Sequence, residues 1–165
     1  MDPHLKTTGP QNGSARPIHD VKLFPLRRIP DERGCVLHML KSTDAHFTRF
    51  GEIYFSMAFP GAIKAWHLHQ KMTIRYAVPV GNIKLVCYDQ RKDSPTFGAV
   101  QEIFTGESQY QLILVPPGVV NGFVCTGNRP ALVANCADIP HDPGEIVRID
   151  PFTPEIPYLW GIRHG

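Results

Sequence analysis

The sequence has no block of like charge. Its 17 Lys and Arg against 15 Asp and Glu leave a net charge of +2, and no basic cluster offers a track for a phosphate backbone. No nucleic-acid partner is expected. It also lacks any apolar run near the roughly 20 residues that a membrane-spanning helix needs. The first residues, MDPHLKTTGPQNGSARP, have no apolar segment of the kind a signal peptide carries. The expectation is a cytoplasmic protein with no membrane partner. Cysteine is sparse and scattered: Cys35, Cys87, Cys125 and Cys136 form no CxxC pair. Each lies in an apolar, strand-like run, which reads as a reduced, buried thiol. Helix signals are nearly missing too. Sixteen prolines and fourteen glycines in 165 residues interrupt the chain often and favour an all-β, turn-rich fold. The single short helix expected spans 43–50, with Asp44 near its start.

What is present is enough for one domain. A chain of this length can bury its own core, and 42% hydrophobic with 19% charged residues is ordinary for a globular protein. The polar, Gly- and Pro-bearing residues 1–17 read as a flexible leader, with a single domain over 18–165. Strand character appears at 21–26, 35–40, 52–58, 63–69, 74–80, 83–88, 100–104, 110–115, 122–125, 131–135 and 145–149. Roughly ten short strands at this spacing argue for a sandwich or barrel with little helix. Residues 52–58, EIYFSMA, alternate cleanly. Glu52, Tyr54 and Ser56 share one face, suited to a pocket, and Ile53, Phe55 and Met57 share the other, suited to a core.

The stretch 61–81, GAIKAWHLHQKMTIRYAVPVG, carries the most specific pattern. His67 and His69 stand two apart in an extended segment, so a strand turns both imidazoles to one face. Gly81 then marks an expected hairpin turn. The spacing resembles the first motif of the cupin superfamily, in which two histidines and a glutamate hold a metal inside a small barrel. Here the glutamate position is Ile74 and the later histidine position is Asn121. Two ligands of four remain, so no metal and no other cofactor is expected.

Five segments in order carry a closer resemblance: DERG (31–34), GAIKAWHLHQ (61–70), DQRKDSPTFG (89–98), VPPGVVNGF (115–123) and IPYLW (156–160). Together they resemble the dTDP-4-dehydrorhamnose 3,5-epimerase family, with the WHxH form and the IPYLW ending of a short, divergent branch. The resemblance implies an all-β cupin jelly roll, a homodimer, no metal, and a nucleoside-diphosphate sugar as partner. It further implies proton abstraction beside the C4 ketone of a 4-keto-6-deoxy sugar. Protons at C3 and C5 are acidic there, the enolate oxygen needs a cation or donor, and an acid on the opposite face completes inversion.

Position by position, the resemblance implies His67 as the base and Arg33 as a diphosphate contact. Lys64 stands for an arginine, which keeps the charge without the bidentate fork. The family's enolate-side lysine falls on Ile74, so Lys64, Lys71 or Arg75 has to serve. Its acid tyrosine falls on Ala134, leaving Tyr54 or Tyr76 to donate the proton. The aspartate that orients its base histidine lies beyond the tryptophan, and the chain runs to Gly165. His69, Asn121, Glu52 and His38 complete the expected substrate contacts, His38 standing where the family has a glutamate. Two alternatives to inversion at both centres are inversion at C3 or C5 alone and a related sugar ketoisomerase. A binding protein that keeps the pocket without turnover is a third, and a metal-dependent cupin a fourth.

Overall fold

The computed structural model describes residues 16–161. Twelve strands are found there, and no helix. Strands β4 (Glu52–Ala58), β5 (Ile63–His69) and β6 (Ile74–Val80) run where alternation placed them. The others are β1 (Lys22–Pro25), β2 (Arg28–Asp31), β3 (Gly34–Leu37), β7 (Asn82–Asp89), β8 (Val100–Gly106), β9 (Gln111–Val115), β10 (Val119–Thr126), β11 (Ala131–Ala137) and β12 (Ile146–Arg148). Two five-stranded antiparallel sheets, in the orders β1-β9-β6-β11-β4 and β12-β5-β10-β7-β8, form the expected jelly roll, with β2-β3 as a separate hairpin. Of the leader expected over 1–17, residues 1–15 lie outside the described residues.

The core lies where the inward faces of the two sheets meet. Ile74, Tyr76 and Val78 on β6 pack with Ile83, Leu85 and Cys87 on β7 and with Val119, Phe123 and Cys125 on β10. A second cluster covers the outer face of β5. Trp66 packs edge-to-face against Tyr158 and at a tilt against Trp160, and the Nε1 groups of both tryptophans donate to the Pro151 carbonyl at 3.2 Å. The IPYLW segment therefore buttresses β5 from behind and leaves its histidine face toward the interior.

Four expectations are corrected. Residues 43–50 form a turn over 43–46 followed by irregular chain, because Asp44 accepts from the Lys41 and Phe47 amides and the His46 carbonyl is taken by Arg75. Gly81 is not a hairpin turn: β6 and β7 belong to different sheets, and Gly81 is the corner between them. Its φ of +73°, with Pro130 O only 2.6 Å from where a Cβ would stand, requires glycine. Cys35 is exposed on the β2-β3 hairpin, unlike the buried Cys87, Cys125 and Cys136. Finally, the apolar face of β4 does not pack on a core. Ile53, Phe55 and Met57 are 48%, 59% and 56% exposed on an edge strand.

Candidate active site

A cavity of about 510 Å³ opens between the sheets, a volume within the usual small-molecule range. One wall is β5 with its neighbour β12, carrying Lys64, His67, His69 and Arg148. The opposite wall is β4, β6 and β11, carrying Glu52, Tyr54, Ser56, Tyr76 and Asn135. His67 and His69 share a face because side chains alternate along a strand, and Trp66 and Leu68 take the other. The register sets Arg148 directly across from His67 and Ile146 across from His69.

A bulge tunes the histidine wall. The pairing of β10 with β5 shifts between Asn121 and Phe123, at Gly122. A Cβ on Gly122 would stand 2.8 Å from Ala65 Cα and collide with the Ala65 side chain, so the glycine allows the two backbones to close. Asn121 is buried behind the wall. Its Oδ1 accepts from the Tyr76 hydroxyl at 2.9 Å, and its Nδ2 donates to the His67 carbonyl at 3.4 Å. The Tyr76 proton is thus committed to Asn121. Tyr54 makes no such bond among the described residues and remains 40% exposed at the cavity.

Electrostatics separate the two histidines. Burial first, then His69, Arg148 and Lys64, lower the His67 pKa to about 4, so its imidazole is neutral at pH 7. His69 has a carboxylate partner that the sequence did not single out. Its Nδ1 lies 2.8 Å from Glu145 Oε2, and both side chains are almost wholly buried. Glu145 Oε1 also accepts from the Lys71 and Met72 amides at 2.8 and 2.9 Å. Burial pushes this carboxyl up, but the bonds from His69 and the two amides prevail and hold it below its ordinary value. On the other wall, burial and the charge of Glu52 raise the Tyr54 pKa while Arg148 lowers it, so the phenol keeps its proton at pH 7.

Of the expected site residues, His67, His69, Lys64, Tyr54, Tyr76 and Glu52 meet at this cavity. Arg33 does not reach it. It stands exposed on the hairpin and pairs with Asp31 at 2.7 Å. His38 is also exposed outside the cavity. The Lys71 side chain points to solvent, and only its amide serves the site, through Glu145. Arg75 is turned outward, since its neighbours Ile74 and Tyr76 face in. It is buried under the 43–50 segment and donates to the His46 carbonyl and to Thr48 Oγ1. Ile74 and Ala134, at the family's lysine and tyrosine positions, are simply buried. The residues missed by sequence reading are Glu145, Arg148, Asn135 and His141. Only the strand pattern around 145–149 pointed near the first two. Lys64 and Arg148 form no ion pair with a described residue. They leave the cavity two cations for an anionic ligand. No group of three or more metal-ligating side chains occurs among the described residues.

A model of the dTDP-4-dehydrorhamnose 3,5-epimerase family matches residues 15–164. The chain belongs to that family. Its fold is the family's jelly roll and its class is carbohydrate epimerase or isomerase. A dTDP sugar isomerase from Desulfovibrio desulfuricans G20 is 48% identical, with a TM-score of 0.86 over 87% of this chain and 92% of its own. The probable low-salt glycan biosynthesis epimerase Agl13 of Haloferax volcanii is 36% identical over 120 residues, 72% of this chain and 77% of that protein. The spore coat polysaccharide biosynthesis protein SpsL of Bacillus subtilis is 30% identical over 128 residues, 78% of this chain and 85% of that protein.

Proposed function

We propose that the protein is a cytoplasmic, homodimeric enzyme acting on a dTDP-linked or other nucleoside-diphosphate-linked 4-keto-6-deoxy sugar. The observation that carries this is the opposition of the two walls: imidazoles on β5 across the cavity from a protonated, partly exposed tyrosine on β4. A proton removed from the carbon beside the ketone leaves its electron pair in an enolate. Arg148 or Lys64 stabilises that oxygen, taking the place of the family's lysine. Tyr54 returns a proton from the opposite face and inverts the centre. His67 stands at the family's base position. Tyr76, bonded to Asn121, orders the wall rather than donating.

The homodimer is supported by the exposed apolar face of β4. Ile53, Phe55 and Met57 form an uncovered stripe along an edge strand, with exposed Phe50 and Phe59 beyond its two ends in sequence, and a second copy of the chain would cover that stripe. A second chemical reading has its own observation. Two imidazoles on one wall suit a ketoisomerase, in which a proton taken from C3 gives an enediol, O3 loses its proton as O4 gains one, and a proton is returned at C4 on the same face.

The test is deuterium wash-in from solvent into 4-keto-6-deoxy sugar nucleotides, followed by NMR of each ring carbon. Exchange at C3 or C5 with inversion is the expected result, and label at C4 with a moved carbonyl would select the ketoisomerase. Tyr54→Phe should lower turnover about 100-fold or more, the usual contribution of a positioned acid. Thermal stabilisation by dTDP with no exchange at any carbon would leave a binding protein and remove the enzymatic reading.

A further inference from the structure

The buried pair His69–Glu145 has the form of an oriented base, and it lies two residues along β5 from His67, the residue that family position would choose. Three donors converge on the Glu145 carboxylate: the Lys71 and Met72 amides on Oε1, and His69 Nδ1 on Oε2 at 2.8 Å. The three fill both oxygens and keep the group ionised. An ionised carboxylate can only accept, so Nδ1 of His69 has to carry a hydrogen. In the form of the ring that can act as a base, the lone pair is then on Nε2. That nitrogen has no hydrogen-bond partner among the described residues, and the ring borders the cavity. His67 has no carboxylate partner among the described residues.

We propose that His69 is a second proton-transferring group of this site, and that Glu145 is the positioning residue that holds it as the Nδ1–H tautomer. The inference rests on the enzymatic reading above and names which side chain carries a proton within it. In the step, Nε2 of His69 takes the hydrogen from a carbon flanking the ketone. The C–H electron pair moves into the enolate, and His69 becomes an imidazolium beside the Glu145 carboxylate, which stabilises it. The proton then leaves by return to the adjacent carbon on the same face or to water, while Tyr54 serves the opposite face. His67 and His69 stand about 7 Å apart along β5, two strand residues. Each imidazole therefore addresses a different part of one sugar ring.

Glu145→Gln separates this role from a structural one. Both amides bond to the same oxygen, so a glutamine can keep them with its carbonyl and turn its NH2 toward His69. That NH2 only donates, which forces Nδ1 to accept and moves the ring hydrogen to Nε2. The base is then lost with the loop bonds kept. The expected results are a melting temperature within a few degrees of wild type, kcat for wash-in lowered about 100-fold or more, and KM within about threefold. Nitrogen-15 NMR of the imidazoles should show His69 as Nδ1–H in wild type and Nε2–H in the variant. His69→Gln should match it in kcat, and Glu145→Asp should recover part of the rate. Wash-in by His69→Gln or Glu145→Gln within threefold of wild type would overturn the proposal, as would an Nε2–H tautomer in wild type. Should wild type itself exchange no proton while His69 is found as Nδ1–H, the enzymatic reading is what fails, and the transfer role fails with it.

Discussion

His67 stores a pH dependence. Burial, its largest cause, and the charges of His69, Arg148 and Lys64 lower its pKa to about 4, against about 6.5 in an unfolded chain. Between these values the unfolded state binds the extra proton, so stability falls as pH drops from 6.5 toward 4. His67→Asn should flatten part of the fall in melting temperature across that window, measured by scanning fluorimetry in matched buffers. A decline as steep as that of wild type would show that His67 is not held neutral. Both histidines of the wall were legible in the residues, because alternation along one strand needs no tertiary information. Glu145 was not legible. It lies 76 positions from His69, and nothing in its own neighbourhood, DPGEIV, distinguishes a buried partner from a solvated turn carboxylate.

At the scale of elements, the close approach of β10 to β5 decides how the histidine wall is held. Gly122→Ala puts a methyl group into the Ala65 side chain, and neither strand can retreat. β10 is paired with β7 along eight residues, and Tyr158 and Trp160 pack from outside on Trp66 of β5. The expected cost is about 1–3 kcal/mol, the usual range for overpacking, read as a lower denaturant midpoint with an unchanged m-value. Wash-in should weaken as well, because the bulge sets the position of His67. A midpoint equal to wild type would mean the strands can part there freely. The same scale explains the failed helix at 43–50. Asp44 reads equally as a helix N-cap and as a turn residue, and the tie between Arg75 and the His46 carbonyl settles it. Arg75 itself illustrates the rule that one step along a strand reverses the face. Next to Tyr76 in sequence, it lies outside the cavity.

At the scale of the molecule, the apolar stripe of β4 is left uncovered by a single chain. Phe55→Glu places a charge at its centre, on the face opposite Tyr54 and away from the cavity. Size-exclusion chromatography with light scattering should show wild type as a dimer and the variant as a monomer. A monomeric wild type would remove the dimer. From the residues alone follow the all-β class, the three strands around the site, the family resemblance and the histidine face, because each depends on local alternation or on a contiguous motif. The partners of those histidines were decided only in the folded molecule. Strand order brings β12 beside β5, and the two-residue period of that pairing then sets Arg148 against His67 and brings Glu145 to His69. A shift of one residue would have exchanged every face, and no local pattern specifies that register.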